Sequence, residues 1–324
     1  MFRRILTPLD GSKSSENVLQ WVAPLAEALS AELILTTVVE VNPVASAVWG
    51  AERSRSNSGP IPEPAEVLAE RESRRSAADD LINSATSYLE SVSVHFVPDS
   101  VDTKFHVATG TPEEQIIATA ISTEADLIAM ATHRASWIAR GVLGSVADRV
   151  VRSSPVSVLL LRPVDSDAGI TGPTPIKNVI VPLDGSPISE AAVDVGRNLS
   201  RAVSAKLHFL TAASEMYGYG PSVGGPYGQA YTDSGLREEV RKYLMPYVDE
   251  AAGEAIDARA VAVSGSAARA IIRVAHEEQD SIVVMASHGL SGFHRWMLGS
   301  VTDKVIRSAE CPVIVVPGEN PVSN

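Results

Sequence analysis

A single cysteine, Cys311, among 324 residues rules out an internal disulfide. Beside Pro312 at a strand start it reads as a buried small hydrophobe. Positive charge is also scarce: 27 Lys and Arg against 39 Asp and Glu leave a formal charge of −12. That balance argues against a nucleic-acid partner, because phosphate backbones are held by clustered cations. No apolar run approaches the roughly 18 to 20 residues that cross a bilayer, so no membrane partner is expected. Met1-Phe2-Arg3-Arg4 leads into a strand interrupted by Pro8 and Asp10 rather than into a signal-peptide core, and the cytoplasm is the expected compartment. His133 and His288 are not spaced with other His, Cys or carboxylate residues as metal ligands are, so no protein metal site is expected. The Gly-x4-Gly-Lys-Ser/Thr loop is missing, as are the lysine and carboxylate of fast ATPases. No catalytic residue is assigned.

What the chain does contain, it contains twice. Leu143-Gly144-Ser145-Val146-Ala147-Asp148-Arg149-Val150-Val151-Arg152-Ser153 returns as Leu298-Gly299-Ser300-Val301-Thr302-Asp303-Lys304-Val305-Ile306-Arg307-Ser308. Ile5-Leu6-Thr7-Pro8-Leu9-Asp10-Gly11-Ser12 is matched by Val179-Ile180-Val181-Pro182-Leu183-Asp184-Gly185-Ser186, and Met130-Ala131-Thr132-His133 by Met285-Ala286-Ser287-His288. The offset is 174 residues at Asp10/Asp184 and 155 at Gly144/Gly299, so the first copy holds 19 extra residues, placed after its second strand. A unit near 150 residues is far longer than a solenoid module and buries its own core. Two domains are expected, 1–163 and 176–318, with a Gly/Pro/Asp-rich linker at 164–175 and a tail at 319–324.

Within the first copy the patterning predicts strands at Arg4–Leu9, Glu32–Val39, Thr103–Ala108, Leu127–Ala131 and Val156–Leu161. Helices are predicted at Ser14–Ser30, Val67–Leu89, Pro112–Ile121 and Gly144–Arg152. Alternating strands and helices with continuously apolar strands, such as Ile282-Val283-Val284-Met285, describe an α/β fold: tandem doubly wound domains, each a parallel sheet covered on both faces. Ligands of such sheets sit beyond the strand carboxyl ends, where strand order reverses. Asp10 and Asp184, Ala131 and Ala286, and Gly144-Ser145 and Gly299-Ser300 all fall there, one cleft per copy. The final strands, Val156–Leu161 and Val313–Val316, are apolar edges that would stay exposed unless the two domains paired through them.

The second copy spells Ala286-x2-Gly289-x9-Gly299-Ser300. Together with the ordered Asp-Gly-Ser, His-Gly and Gly-Ser-Val signals, this spacing resembles the nucleotide loop of the universal stress protein family, over roughly 1–163 and 176–318. The resemblance implies a five-stranded parallel sheet per domain in the order 3-2-1-4-5, pairing of the last strands as an intramolecular pseudo-dimer, and a further homodimer. It implies an adenine nucleotide, ATP or a relative, as cofactor, with Mg²⁺ entering only through phosphate oxygens. In the second domain the implied site comprises Pro182, Leu183, Asp184, Gly185, Ala212, Met285, Ala286, His288, Gly289, Gly299, Ser300 and Val301. Asp184 would receive the ribose hydroxyls and adenine edge, and Ala212 would offer backbone bonds to the base. The equivalent set in the first domain is Pro8, Leu9, Asp10, Gly11, Val38, Met130, Ala131, His133, Arg134, Gly144, Ser145 and Val146.

Chemistry supports the loop independently. Gly289 permits close backbone approach, and Gly299-Ser300 offers free N–H groups, a hydroxyl and the positive end of a helix dipole to an anion. Against this stand two blander readings: a tight turn at Gly299, and Asp184 as a simple helix cap. Arg134 occupies the position of Gly289 in the first copy, where it either occludes phosphate or neutralises it as a charged fork. Both copies also carry alanine, Ala131 and Ala286, at the family's first loop glycine, a change tolerated unless positive φ is needed there. Inserts at Asn42–Pro64 and Ser214–Gly235 leave the cleft end of the second strand and read either as lids or as irregular surface. The expected function is a nucleotide-binding stress module with a regulatory or protective role. Its rivals are a slow ATPase or phosphotransferase and a nucleotide-free scaffold.

Overall fold

The computed structural model describes residues 2–39, 65–132, 143–162, 175–212, 233–288 and 298–318, with backbone alone at 65–75 and 233–237. The first half runs β1 (Arg4–Pro8), α1 (Lys13–Glu16), α2 (Leu19–Leu29), β2 (Glu32–Val39), α3 (Ala65–Phe96), β3 (Thr103–Thr109), α4 (Pro112–Ser122), β4 (Leu127–Ala131), α5 (Ser145–Ser153) and β5 (Ser157–Leu161). The second runs β6 (Asn178–Pro182), α6 (Pro187–Val203), β7 (Lys206–Ala212), α7 (Asp233–Gly253), β8 (Ala258–Val263), α8 (Ala267–Glu277), β9 (Ser281–Ala286), α9 (Ser300–Ser308) and β10 (Val313–Val316).

The strands of each half are parallel and ordered 3-2-1-4-5. The second half repeats that order as β8-β7-β6-β9-β10. The two sheets do not end separately. Val313, Ile314 and Val315 of β10 pair antiparallel with Leu160, Leu159 and Val158 of β5, which makes one ten-stranded sheet. This join removes two apolar edges that would otherwise template foreign pairing. It also runs the second half's strands opposite to the first half's, so the strand carboxyl ends of the two halves lie at opposite edges of the sheet.

Helices cover both faces. One core layer packs α2, α3, α6 and α7 on Ile5, Leu33, Leu35, Val179, Val181 and Phe209. The other packs α4, α5, α8 and α9 on Leu6, Ile34, Ile128, Ile180 and Val283. Both layers cross the junction of the halves. Alternation along each strand explains this, since successive side chains point to opposite faces.

Some boundaries differ from the sequence pattern. The helix expected over Ser14–Ser30 is two, α1 and α2, divided at Asn17-Val18. The turn there is tightened by i to i+3 bonds such as Val18 N–H to Ser15 O, 3.2 Å. The helix expected to end at Leu89 continues to Phe96 because Val92, one turn on, enters the same core. The two inserts lie outside the described residues, except that Asp233–Gly235 already form the first turn of α7. Cys311 is partly buried, and desolvation pushes its thiol up to about 11. A thiolate is thereby disfavoured at neutral pH.

Candidate functional site

In each half β1 and β4, or β6 and β9, are neighbours, while β2 or β7 lies on the other side of the first strand. Here strand order reverses, and the ladder between the two strands stops at Leu6↔Ile128 and at Ile180↔Val283, short of their carboxyl ends. One end carries Asp10 or Asp184. The other carries Ala131 or Ala286, and the start of α5 or α9 returns beside it.

The Asp-Gly-Ser loop has the same geometry in both halves. Leu9 N–H is tied to Thr36 O, and Leu183 N–H to Leu210 O, each at 2.8 Å. Gly11 and Gly185 take φ values of 79° and 82°, a left-handed turn that a side chain would strain. The next residue's N–H donates to the aspartate: Ser12 to Asp10 Oδ1 and Ser186 to Asp184 Oδ1, both at 3.0 Å. The Ser186 hydroxyl adds a bond of 2.6 Å. Ser12 and Ser186, not the aspartates, are the N-caps, accepting from Ser15 N and Ser189 N at 3.2 and 3.1 Å. The aspartates hold the cap residue in place, which makes the helix-cap reading of Asp184 a half-truth.

At the second loop, Ala131 and Ala286 are ordinary strand residues paired with Leu161 and Val316. Neither has positive φ, so the backbone at these positions does not require glycine. Met130, Ala131, Met285 and Ala286 are buried, as is Ala212, while Val38, from the end of β2, packs on the core layer that holds Met130. Gly144 and Gly299 cap α5 and α9 with extended backbone, φ −59° and −60°. Val146 and Val301 occupy the first turns with Ser145 and Ser300. His133, Arg134 and Gly289 lie outside the described residues.

The two helix starts are held differently. In the second half Gly299 N–H bonds to Ser287 O at 2.8 Å, and Thr302 Oγ donates to Ala286 O at 2.9 Å, tying the first turn of α9 to the end of β9. The equivalent of Thr302 is Ala147, which has no hydroxyl to make that tie. His288 Nδ1 lies 3.0 Å from Ser287 Oγ, and its Nε2 is buried without a partner among the described residues. Burial lowers its pKa and favours the neutral ring. Gly318 N–H donates to Ser287 Oγ at 3.3 Å, which ties the end of the second half to this serine.

An anion at these helix starts would meet first-turn N–H groups and a positive dipole end. Asp148 and Asp303, one turn in, would oppose it. Each is matched by arginine: Arg152 Nε to Asp148 Oδ2 and Arg307 Nε to Asp303 Oδ2 are both 2.9 Å. The carboxylates are therefore charge-balanced within the protein.

Sequence reasoning missed two sets of residues here. Thr302 escaped because it replaces alanine in an otherwise matched segment. Tyr88 and Tyr243, on α3 and α7, escaped as core aromatics, although the 155-residue offset equates them. Tyr88 Oη donates to Glu16 Oε1 at 3.1 Å, and Gly11 N–H and Asp10 face the same phenol. Among the described residues, no group of three or more His, Cys, Asp or Glu could hold a metal ion, and no helix is long and apolar enough to cross a membrane.

The fold, with one reversal of strand order in each half, defines a tandem doubly wound α/β protein. The chain belongs to the universal stress protein family, whose model matches residues 1–162 and 175–317. It is 28% identical over 312 residues to universal stress protein Rv2005c of Mycobacterium tuberculosis, covering 96% of each chain. It is 31% identical over 143 residues to universal stress protein YxiE of Bacillus subtilis, covering 43% of this chain and 97% of the relative. A universal stress protein structure from Archaeoglobus fulgidus shares the fold at 18% identity and TM-score 0.60, over 98% of this chain and 97% of that one.

Proposed function

We propose that the second cleft binds an adenine nucleotide, ATP in the first instance, and that the chain works as a nucleotide-responsive regulatory or protective module. The reading rests on the convergence, at the ends of β6 and β9, of the Asp184 loop with the Gly299-Ser300 helix start. One end supplies a carboxylate suited to ribose hydroxyls, and the other supplies N–H groups and a hydroxyl suited to phosphate. Ala212 at the end of β7 borders the same opening and would offer its backbone to the base. Mg²⁺ would be carried by the phosphates, keeping water as its remaining ligands. The first cleft shares Asp10, Gly144 and Ser145 but lacks the Thr302 anchor and has Arg134 in place of Gly289, so its affinity should be lower. The units 1–163 and 176–318, joined by 164–175, would then carry unequal sites on one sheet.

The test is mass spectrometry of small molecules released by denaturing the purified full chain, paired with calorimetric titration of ATP and Mg²⁺. Release of an adenine nucleotide, or saturable binding near one equivalent, supports the reading. Absence of both would overturn it.

A further inference from the structure

Equivalent helix pairs flank the two clefts with opposite charge. In each half the helix that follows the third strand packs on the helix that opens at Gly-Ser, α4 on α5 and α8 on α9. α8 also lies on β6, β7 and β9. Since α8 and α9 both start at the carboxyl edge of the sheet, their first turns stand on the side of the second cleft assigned above to phosphate.

In the first half the charges of that contact cancel. Arg149 Nη1 on α5 pairs with Glu113 Oε1 in the first turn of α4, and Glu114 follows it there. The 155-residue offset puts Ala268, Arg269 and Lys304 at the places of Glu113, Glu114 and Arg149. Ala268 is buried and has no carboxylate to offer Lys304. Lys304 and Arg269 are exposed and make no ion pair among the described residues. Three positions that carry one net negative charge in the first half therefore carry two positive charges in the second. The first turn of α8 contains no acidic residue, and Arg269 within it opposes the positive end of the helix dipole, where Glu114 of α4 complements it. A local preference broken without internal compensation is the mark of a functional position, and a bound anion would relieve the conflict.

We infer that Arg269 and Lys304 make the second cleft selective for nucleoside polyphosphates over monophosphates, by adding uncompensated positive charge beside the Gly299-Ser300 helix start. The first cleft, where Glu113 cancels Arg149 and Glu114 remains, lacks that preference. This selectivity rests on the nucleotide reading of the cleft and names the property of the ligand that the cleft measures, its phosphate charge. Exposed cations that act through solvent without a fixed contact are screened by salt, so the preference should fade as ionic strength rises.

Full-length wild type, Arg269→Glu and the double variant Arg269→Gln/Lys304→Gln are titrated with ATP and with AMP. Mg²⁺ is left out so that ATP keeps its full charge, each titration is repeated in high salt, and melting temperatures are compared. Wild type should bind ATP more tightly than AMP. One exposed charge pair corresponds to roughly 1.5- to 5-fold, so the double variant should lose about fivefold in ATP affinity and about twofold in AMP affinity at low salt. Both losses should shrink towards none in high salt. Arg269→Glu should lose at least as much ATP affinity as the single charge predicts while its melting temperature is unchanged or higher, because glutamate suits the first turn. Unaltered ATP affinity, equal losses for ATP and AMP, a loss that salt does not reduce, or a lower melting temperature in Arg269→Glu would overturn the inference while leaving the nucleotide reading intact. Wild type that binds neither ligand, or AMP the more tightly, would overturn the inference too, and no binding of ATP with Mg²⁺ either would overturn the nucleotide reading with it.

Discussion

Arg152 of the first half donates through Nη2 to Asp303 of the second at 3.3 Å, across 151 residues of sequence. Its pseudo-symmetric counterpart joins Arg307 Nη2 to Asp148 Oδ1 at 3.2 Å. With the two intrahelical pairs these close a ring of four charges between α5 and α9, on the face opposite α2 and α6. Arg162 adds a one-sided clasp, donating to the α9 carbonyls of Ile306, at 3.3 Å, and Arg307. Its counterpart is Pro317, which has no such donor.

The ring should stabilise the junction of the halves modestly. Each of its side chains is 29% exposed, so water and salt screen it, and a cross pair contributes about 0.5 to 1 kcal/mol. A double-mutant cycle of Arg152→Gln and Asp303→Asn, read by urea unfolding, should give a coupling of that size in low salt. It should shrink towards zero in 1 M salt. A coupling that is insensitive to salt would contradict the screened geometry.

His208 should make the second half acid-sensitive. It is 1% exposed, held at Nε2 by Asn178 Oδ1 at 2.9 Å and at Nδ1 by Arg259 Nε at 2.8 Å. Burial first, and then the Arg259 charge, lower its pKa to about 4. Lys206 opposes protonation as well, while Glu278 and Asp257 partly offset it. The unfolded chain therefore takes up a proton below about pH 6.5 that the native state refuses until about pH 4. This contribution is fully present above pH 6.5. It should fall by about 3 kcal/mol across the window, from about 1.4 kcal/mol per pKa unit. In His208→Ile, which copies Ile34 of the first half, the pH slope of the denaturation midpoint should flatten between pH 6.5 and 4. An unchanged slope would contradict the assignment.

Gly196 brings α6 close to β6. A Cβ built there would stand 2.3 Å from Val181 Cγ2, on a β-branched side chain with little rotamer freedom. Helix propensity alone favours alanine by about 1 kcal/mol, but overpacking typically costs about 1 to 3 kcal/mol. Gly196→Ala should therefore lower the melting temperature. A rise would mean that the helix shifts away without penalty.

Much of the fold was legible because the repeat printed each signal twice. The strands Glu32–Val39, Leu127–Ala131 and Val313–Val316 stand where the apolar runs place them. The apolar last strands pointed to their own meeting as an intramolecular pair. The break at Asn17-Val18 was not legible, because no glycine or proline marks it and the same Asp-Gly-Ser start leads into an unbroken α6 in the second half. Nor was the bond from Tyr247 to Glu190, because a tyrosine among helical apolar residues reads as core. Of the candidate site, the ends of β6 and β9 fall together as the topology requires, while Gly289 and Arg134, on which sequence reasoning leaned for asymmetry, lie outside the described residues. One asymmetry that the described residues do carry at this site is Thr302 against Ala147.

The central claim is a nucleotide site at the second cleft with a weaker one at the first. Loss of a charge-assisted bond to phosphate is worth about 1.5 to 3 kcal/mol, or roughly 10- to 150-fold in affinity. Calorimetric titration of wild type, Ser300→Ala and Ser145→Ala with ATP and Mg²⁺ tests the claim most directly. The account predicts that Ser300→Ala weakens the tighter site at least tenfold while Ser145→Ala leaves it within about twofold. An equal loss from both substitutions would contradict it by making the two clefts equivalent, and a larger one from Ser145→Ala would make the first cleft, with Arg134, the principal phosphate site.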